Sequence, residues 1–179
     1  MRAIWLAAAL MAAPVLAQRA GPTRADILAM EKSLDGKLRR FSLDNPFNII
    51  GMSRGVYVEG TGATFSAEIS LVSTPGLSPF RPELTQEEKQ KLNQAKRERV
   101  PALKTLMKEF LVASAASLDR LPADEQVAVG ISLFYHGWEL QTGLPQQLVM
   151  WGQKRPLVDV AAGRVDKSQL DTLVKVREF

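Results

Sequence analysis

Gly51-Met52-Ser53-Arg54-Gly55 carries the G-x-S-x-G spacing of a nucleophile elbow. In that device a serine sits on a sharp turn, and the flanking glycines leave room for a base and a substrate. The turn must lead from a strand into a helix, whose first amides stabilise the oxyanion. Here Val56-Tyr57-Val58 follows, a run of strand formers. A β-bulge accounts for two glycines near a strand equally well. A triad also takes a histidine, and His136 is the single one in the chain. Asp119 or Asp124 would complete an allowed Ser, Asp, His order. A serine-dependent hydrolase using Ser53 and His136 is therefore the alternative reading of this sequence.

His136 lies in Phe134-Tyr135-His136-Gly137-Trp138-Glu139, just past a run that reads as a central strand. Neutral imidazole can act as a general base near neutral pH, with Glu139 orienting it. The plainer role is a histidine that closes a loop by hydrogen bonding. Trp138 and Trp151 flank the connection that follows. Such aromatics anchor a partner or a sugar ring, or they close one edge of a core. A ligand site is expected where this loop meets the polar face of a hairpin, from Tyr57, Glu68, His136, Trp138 and Glu139. No cofactor is implied. One histidine, no cysteine and no acidic calcium loop leave zinc and EF-hand sites without their ligands. Gly60-Thr61-Gly62 lacks the third glycine and the following helix of a phosphate loop, so it reads as a turn.

The elements that would hold these groups follow from hydrophobic period and punctuation. Thr23 with Asp26 resembles a capping box, and Ile27, Met30 or Glu31, Leu34, Leu38 and Phe41 recur at helical spacing. Asp44-Asn45-Pro46 marks a turn. The segments Asn48–Glu59 and Ala63–Val72 then read as a β-hairpin around Glu59-Gly60-Thr61-Gly62. Phe65, Ala67, Ile69 and Leu71 fall on one face; Thr64, Ser66, Glu68 and Ser70 fall on the other. Ser73 to Leu84 is a proline-rich loop. Thr85 with Glu88 is a full capping box opening a helix whose first half is highly charged and reads as solvated. Its second half, Pro101–Leu118, is apolar, and Pro101 either kinks one helix or starts another. Gln126–Tyr135 and Gln146–Trp151 read as strands. Pro156–Ala162 reads as a short helix, Ser168 with Asp171 as one more turn, and Val174–Phe179 as an edge strand. The expected fold is α+β: an antiparallel sheet of four or five strands, with the Thr23–Phe41 and Pro101–Leu118 helices packed on one face.

Arg2, the uncharged segment Ala3–Ala13, Pro14 and the small residue Ala17 match a secretory signal peptide over residues 1–17. Cleavage after Ala17 would leave a short flexible lead over 18–22 and a single domain over 23–179. The apolar run is too short to span a bilayer, which takes ~20 residues, and no longer one follows. The expected destination is the periplasm or the exterior. The 179-residue chain carries a net charge of +4, an excess too small and too interleaved for a nucleic-acid footprint. The sequence thus points to a non-catalytic binding or assembly module of the cell envelope. Its expected partner is an anionic envelope polymer or another envelope protein.

Overall fold

The computed structural model describes residues 21–42, 46–73 and 84–179. The expected signal segment, most of the expected lead, most of the Asp44-Asn45-Pro46 turn and most of the proline-rich loop lie outside the described residues. The fold is α+β. The elements run α1 (Arg24–Arg39), β1 (Asn48–Val58), β2 (Gly62–Ser70), α2 (Gln86–Ser117), β3 (Gln126–Leu133), β4 (Gln147–Gln153) and α3 (Lys154–Ala161). A 3-10 turn at Lys167–Gln169 leads into α4 (Leu170–Leu173) and the last strand, β5 (Lys175–Glu178). The five strands form one sheet in the order β1-β2-β3-β4-β5.

The sheet is mostly antiparallel, and the one parallel pair is β2 with β3. That pair departs from the all-antiparallel expectation for a simple reason. A tight turn can return the chain antiparallel, whereas a long helical crossover brings it back to the same end. α2 is that crossover, so β2-α2-β3 is a βαβ unit inside an otherwise meandering sheet. Its parallel register aligns Gly62 with Gln126 and Ile69 with Leu133. Close approach at the first of these needs glycine. A Cβ on Gly62 would fall 1.9 Å from the Gln126 carbonyl oxygen, and its φ is +137°.

The apolar halves of β2, β3 and β4 face the helices. Phe65, Ile69, Val127, Val129, Ile131, Leu148 and Met150 are buried beneath Leu34 and Leu38 of α1 and Leu103, Met107, Phe110 and Leu111 of α2. Phe65 and Phe110 meet edge to face, 5.3 Å between centroids. Pro101 lies within one continuous α2, which resolves the choice between kinked and divided helices in favour of one. The charged first half of α2 is not simply solvated. Lys96 is wholly buried and ion-paired to Glu139, and Asn93 donates to the carbonyls of Leu140 and Thr142 at 2.8 and 3.3 Å. Arg99 stands 4.5 Å over the Phe47 ring. Periodicity does not reveal this, because lysine and asparagine are ordinarily surface residues, whereas here the Lys96 ammonium and the Asn93 amide reach a neighbouring loop.

α1 is fastened to β1 by two carboxylates one helical turn apart. Glu31 accepts from the Gly55 amide at 2.8 Å, and Asp35 accepts from the Ser53 amide at 3.0 Å and its hydroxyl at 2.7 Å. The spacings match: i to i+4 on a helix is about 6 Å, and i to i+2 on a strand about 6.7 Å. Arg24 completes the arrangement with a 2.7 Å bond to Glu31. That bond holds the Glu31 carboxyl below its ordinary pKa against the opposing effect of burial, with the Gly55 amide adding to the shift. A carboxyl shifted down stabilises the fold above its unfolded pKa and loses that contribution as the pH falls through the folded value. Glu31→Gln should therefore be less stable than wild type at neutral pH. In chemical denaturation series the gap should narrow between about pH 5 and about pH 3. Asp35→Ala, which strands a buried amide and hydroxyl, should lose about 2 kcal/mol, and its melting temperature should drop by ~5 °C.

Candidate functional site

The G-x-S-x-G segment is strand throughout, with register shifts between Ile49 and Gly51 and between Gly51 and Arg54. These irregularities are the bulge that glycine near a strand signals. Ser53 is 2% exposed and its hydroxyl donates to Asp35, so it is a buried link to α1. Gly55 is a packing requirement: a Cβ there would come within 2.8 Å of both Ile27 and Phe65. Two strand spacings, about 10 Å, separate β1 from β3, and His136 lies beyond the far end of β3. The structure therefore does not bring Ser53 and His136 together.

The five residues expected to form a ligand site divide between surroundings. Tyr57 pairs with buried Ala63 on the helix-covered face, and its hydroxyl donates to Glu125 at 3.3 Å. Desolvation and the Glu125 charge raise its pKa. Glu68 alternates with buried Ala67 and Ile69 and is exposed on the opposite face. The convergence of Tyr57 with Glu68 is thus corrected. Tyr57 is out of phase with Val56 and Val58, as read, but those valines are the exposed pair. Glu139 is buried against Lys96, and its other oxygen accepts from the His136 amide, not the imidazole, at 3.3 Å. Its role is to hold the loop on α2. Burial and the nearby Glu139 charge push the Tyr135 phenol well above its ordinary pKa, and its hydroxyl donates to the Pro145 carbonyl at 2.7 Å.

His136 and Trp138 do stand with Glu68 on one side of the sheet. The Phe134 amide continues the parallel ladder by donating to Ile69 at 2.8 Å, so Phe134 keeps the strand alternation and shares the face of Ser132 and Glu68. His136 packs edge-on to Phe134 at 5.0 Å and stacks on Trp138 at 5.2 Å, with the two ring planes nearly parallel. The result is an aromatic ladder at one end of that face. None of five clefts on the described residues is lined by Glu68, His136, Trp138 or Glu139.

That face is the one the described helices leave uncovered, and its lateral rows can be followed across the register. Arg54, Ser66, Gly130, Val149 and Arg177 form one row. Val56, Thr64, Ala128, Trp151 and Lys175 form the next. Glu68, Ser132 and Gln147 form a third. Small side chains occupy β2 and β3, and larger ones stand on β1 and β4, whose backbones are ~14 Å apart. The face is therefore a shallow trough along the strands. On its β1 wall Val56 and Val58 are 55% and 52% exposed, while Ile50 and Met52, at the two register shifts, line a cleft at the sheet edge with Phe47 and Arg39 of α1. Apolar patches of this kind on a monomer mark interaction surfaces more often than scattered single residues do. The sequence points to Glu68 here, and to Trp151 as an aromatic anchor or core edge, but not to Arg54, Lys175 or Arg177. Alternation in Gln147–Gln153 and Lys175–Glu178 carried that signal, since Trp151 is out of phase with Leu148 and Met150.

No family model matches the chain, and no curated protein or solved structure does either.

A buried serine bonded to a carboxylate is not a nucleophile poised by a base. A fluorophosphonate probe should leave the folded protein unlabelled. Ser53→Ala should lower the melting temperature without changing that result; labelling that disappears in Ser53→Ala would restore the hydrolase reading.

Proposed function

We propose that the chain is an exported, non-catalytic binding or assembly module of the cell envelope that docks through the uncovered face of its sheet. The observation that carries the reading is the β1 wall of that face, where Val56 and Val58 stand in solvent beside a trough of small residues. The two sheet edges support it by elimination. Glu31 and Asp35 engage the outward amides of Gly55 and Ser53 on β1. β5 is only four residues long and carries Lys175 and Arg177. Short, charged or covered edges resist strand addition, which leaves the face as the place for a partner. Export follows from the signal pattern of residues 1–17. No observation favours the hydrolase reading over this one.

Sedimentation with isolated envelope material tests it. Protein recovered from the periplasm should begin at Gln18 and co-sediment with the envelope fraction. The double variant Val56→Glu, Ser66→Arg should co-sediment at least about fivefold less, with a melting temperature within ~2 °C of wild type, because both positions are exposed. Lys91→Glu, on the far side of the molecule from the trough, should behave as wild type. Equal sedimentation of the double variant and wild type would overturn the proposal.

A further inference from the structure

Where β3 begins and β4 finishes, a cleft of about 240 Å³ lies between the end of the uncovered face and Pro156, Thr172 and Leu173 of the last two helices. Its lining includes Gln126, Trp151, Gln153, Thr172 and Lys175. Gln126 pairs with Gln153 across the β3–β4 ladder, and Ala128 with Trp151, so both amides and the indole fall on the uncovered side. Lys175 pairs with Trp151 across the β4–β5 ladder and faces the same way. Arg177, two residues on, also lies on this side. We propose that this cleft is a subsite for one sugar ring bearing an anionic group, within an acidic glycan chain that continues along the trough.

Four features fix the chemistry. The indole presents an apolar ring with a polar N–H at its edge, suited to the C–H face of a sugar. The two carboxamides offer donors and acceptors to ring hydroxyls, and the Thr172 hydroxyl, which donates to the Gln169 carbonyl at 2.8 Å, can accept from one. Among the described residues, the Gln126 and Gln153 amides and the Lys175 ammonium bond to no other side chain. The rows of the uncovered face carry Arg54, Lys175 and Arg177 against Glu68 alone, so an anionic chain is favoured along its length. Size supports a single ring, since drug-sized ligands occupy ~300–1,000 Å³. An acidic peptide would satisfy the cations but has no flat C–H face for Trp151. A second copy of this chain would set the same cations against one another.

The inference rests on the uncovered face being the docking surface, and its test is separable from that reading. Trigalacturonate is the probe, with maltotriose as the neutral sugar and hexaglutamate as the acidic peptide. Binding is read by calorimetry and by the Trp151 indole N–H resonance, assigned with Trp151→Phe. Trigalacturonate should shift that resonance, and maltotriose should bind at least about tenfold more weakly. Lys175→Glu, an exposed change that leaves the fold intact, should weaken trigalacturonate about tenfold and remove the preference for the acidic sugar. Tight binding of trigalacturonate unaffected by Lys175→Glu and Trp151→Phe would overturn the subsite. So would a response to hexaglutamate but not to the sugar, or no response to any probe. If these results come from protein that still co-sediments with the envelope fraction through Val56 and Ser66, the inference alone falls. If that sedimentation is also lost, the docking face falls with it.

Discussion

Two carboxylates on one turn of α1 meet two amides on β1, and the layout of the molecule follows from that contact. Glu31 and Asp35 would be poor choices for the buried side of a helix unless each found donors. β1 supplies them at the outer edge of the sheet, where an unpaired strand would otherwise offer its amides to a second chain. The same bonds fix α1 antiparallel to β1, close enough that only glycine fits at position 55. With α1 there, and α2 crossing from β2 to β3, the helices gather on one side of the sheet. The other side carries none of the described helices.

Similar polar fastenings recur wherever loops meet this frame. Glu125 accepts from Tyr57 and from the Gly60 amide at 2.8 Å, tying the hairpin turn to the start of β3. Lys154 donates to the carbonyls of Leu118, Asp119 and Leu121 at 2.7, 3.1 and 2.6 Å, at the C-terminal end of α2 where a cation suits the helix dipole. Burial lowers the Lys154 pKa despite the nearby Asp119. Lys96 and Glu139 anchor the connection that carries His136 and Trp138. Without cysteine anywhere in the chain, these bonds, with the apolar core, are what holds its loops. They also explain why so many chemistry-bearing residues proved structural: a buried polar group needs partners, and Ser53, Glu139 and Lys154 find them inside the fold.

Much of the fold was legible in the sequence because period and capping are local. The Thr23 and Thr85 boxes form as read, each with its reciprocal bonds to Asp26 and Glu88. The alternation of Ala63 to Ile69 separates core from solvent residue by residue along β2; Ser70, read with the polar set, is instead buried and donates to the Val72 carbonyl at 2.8 Å. The parallel β2–β3 pairing was not legible, since strand direction depends on where a long helix delivers the chain. Nor were the identities of Glu31, Asp35, Lys96 and Lys154 as buried groups, because each is defined by a donor or acceptor far away in sequence. For the site, the side of the sheet occupied by Glu68 was readable from alternation. The displacement of Tyr57 to the covered face followed from which of two alternating sets α1 chose, and hydrophobicity misled there: Val56 and Val58 are the exposed pair.

Residue-resolved amide hydrogen exchange of Ser53 and Gly55 tests the closed edge most directly. Both amides lie on an edge strand and bond only to side-chain carboxylates. If the clamp closes that edge, they exchange as slowly as amides in the interior of β2, and Asp35→Ala releases Ser53 to rapid exchange while β2 and β3 stay protected. Exchange of Ser53 and Gly55 in wild type at the rate of an unpaired edge would contradict the account, because β1 would then be open to strand addition and the uncovered face would lose its claim as the docking surface.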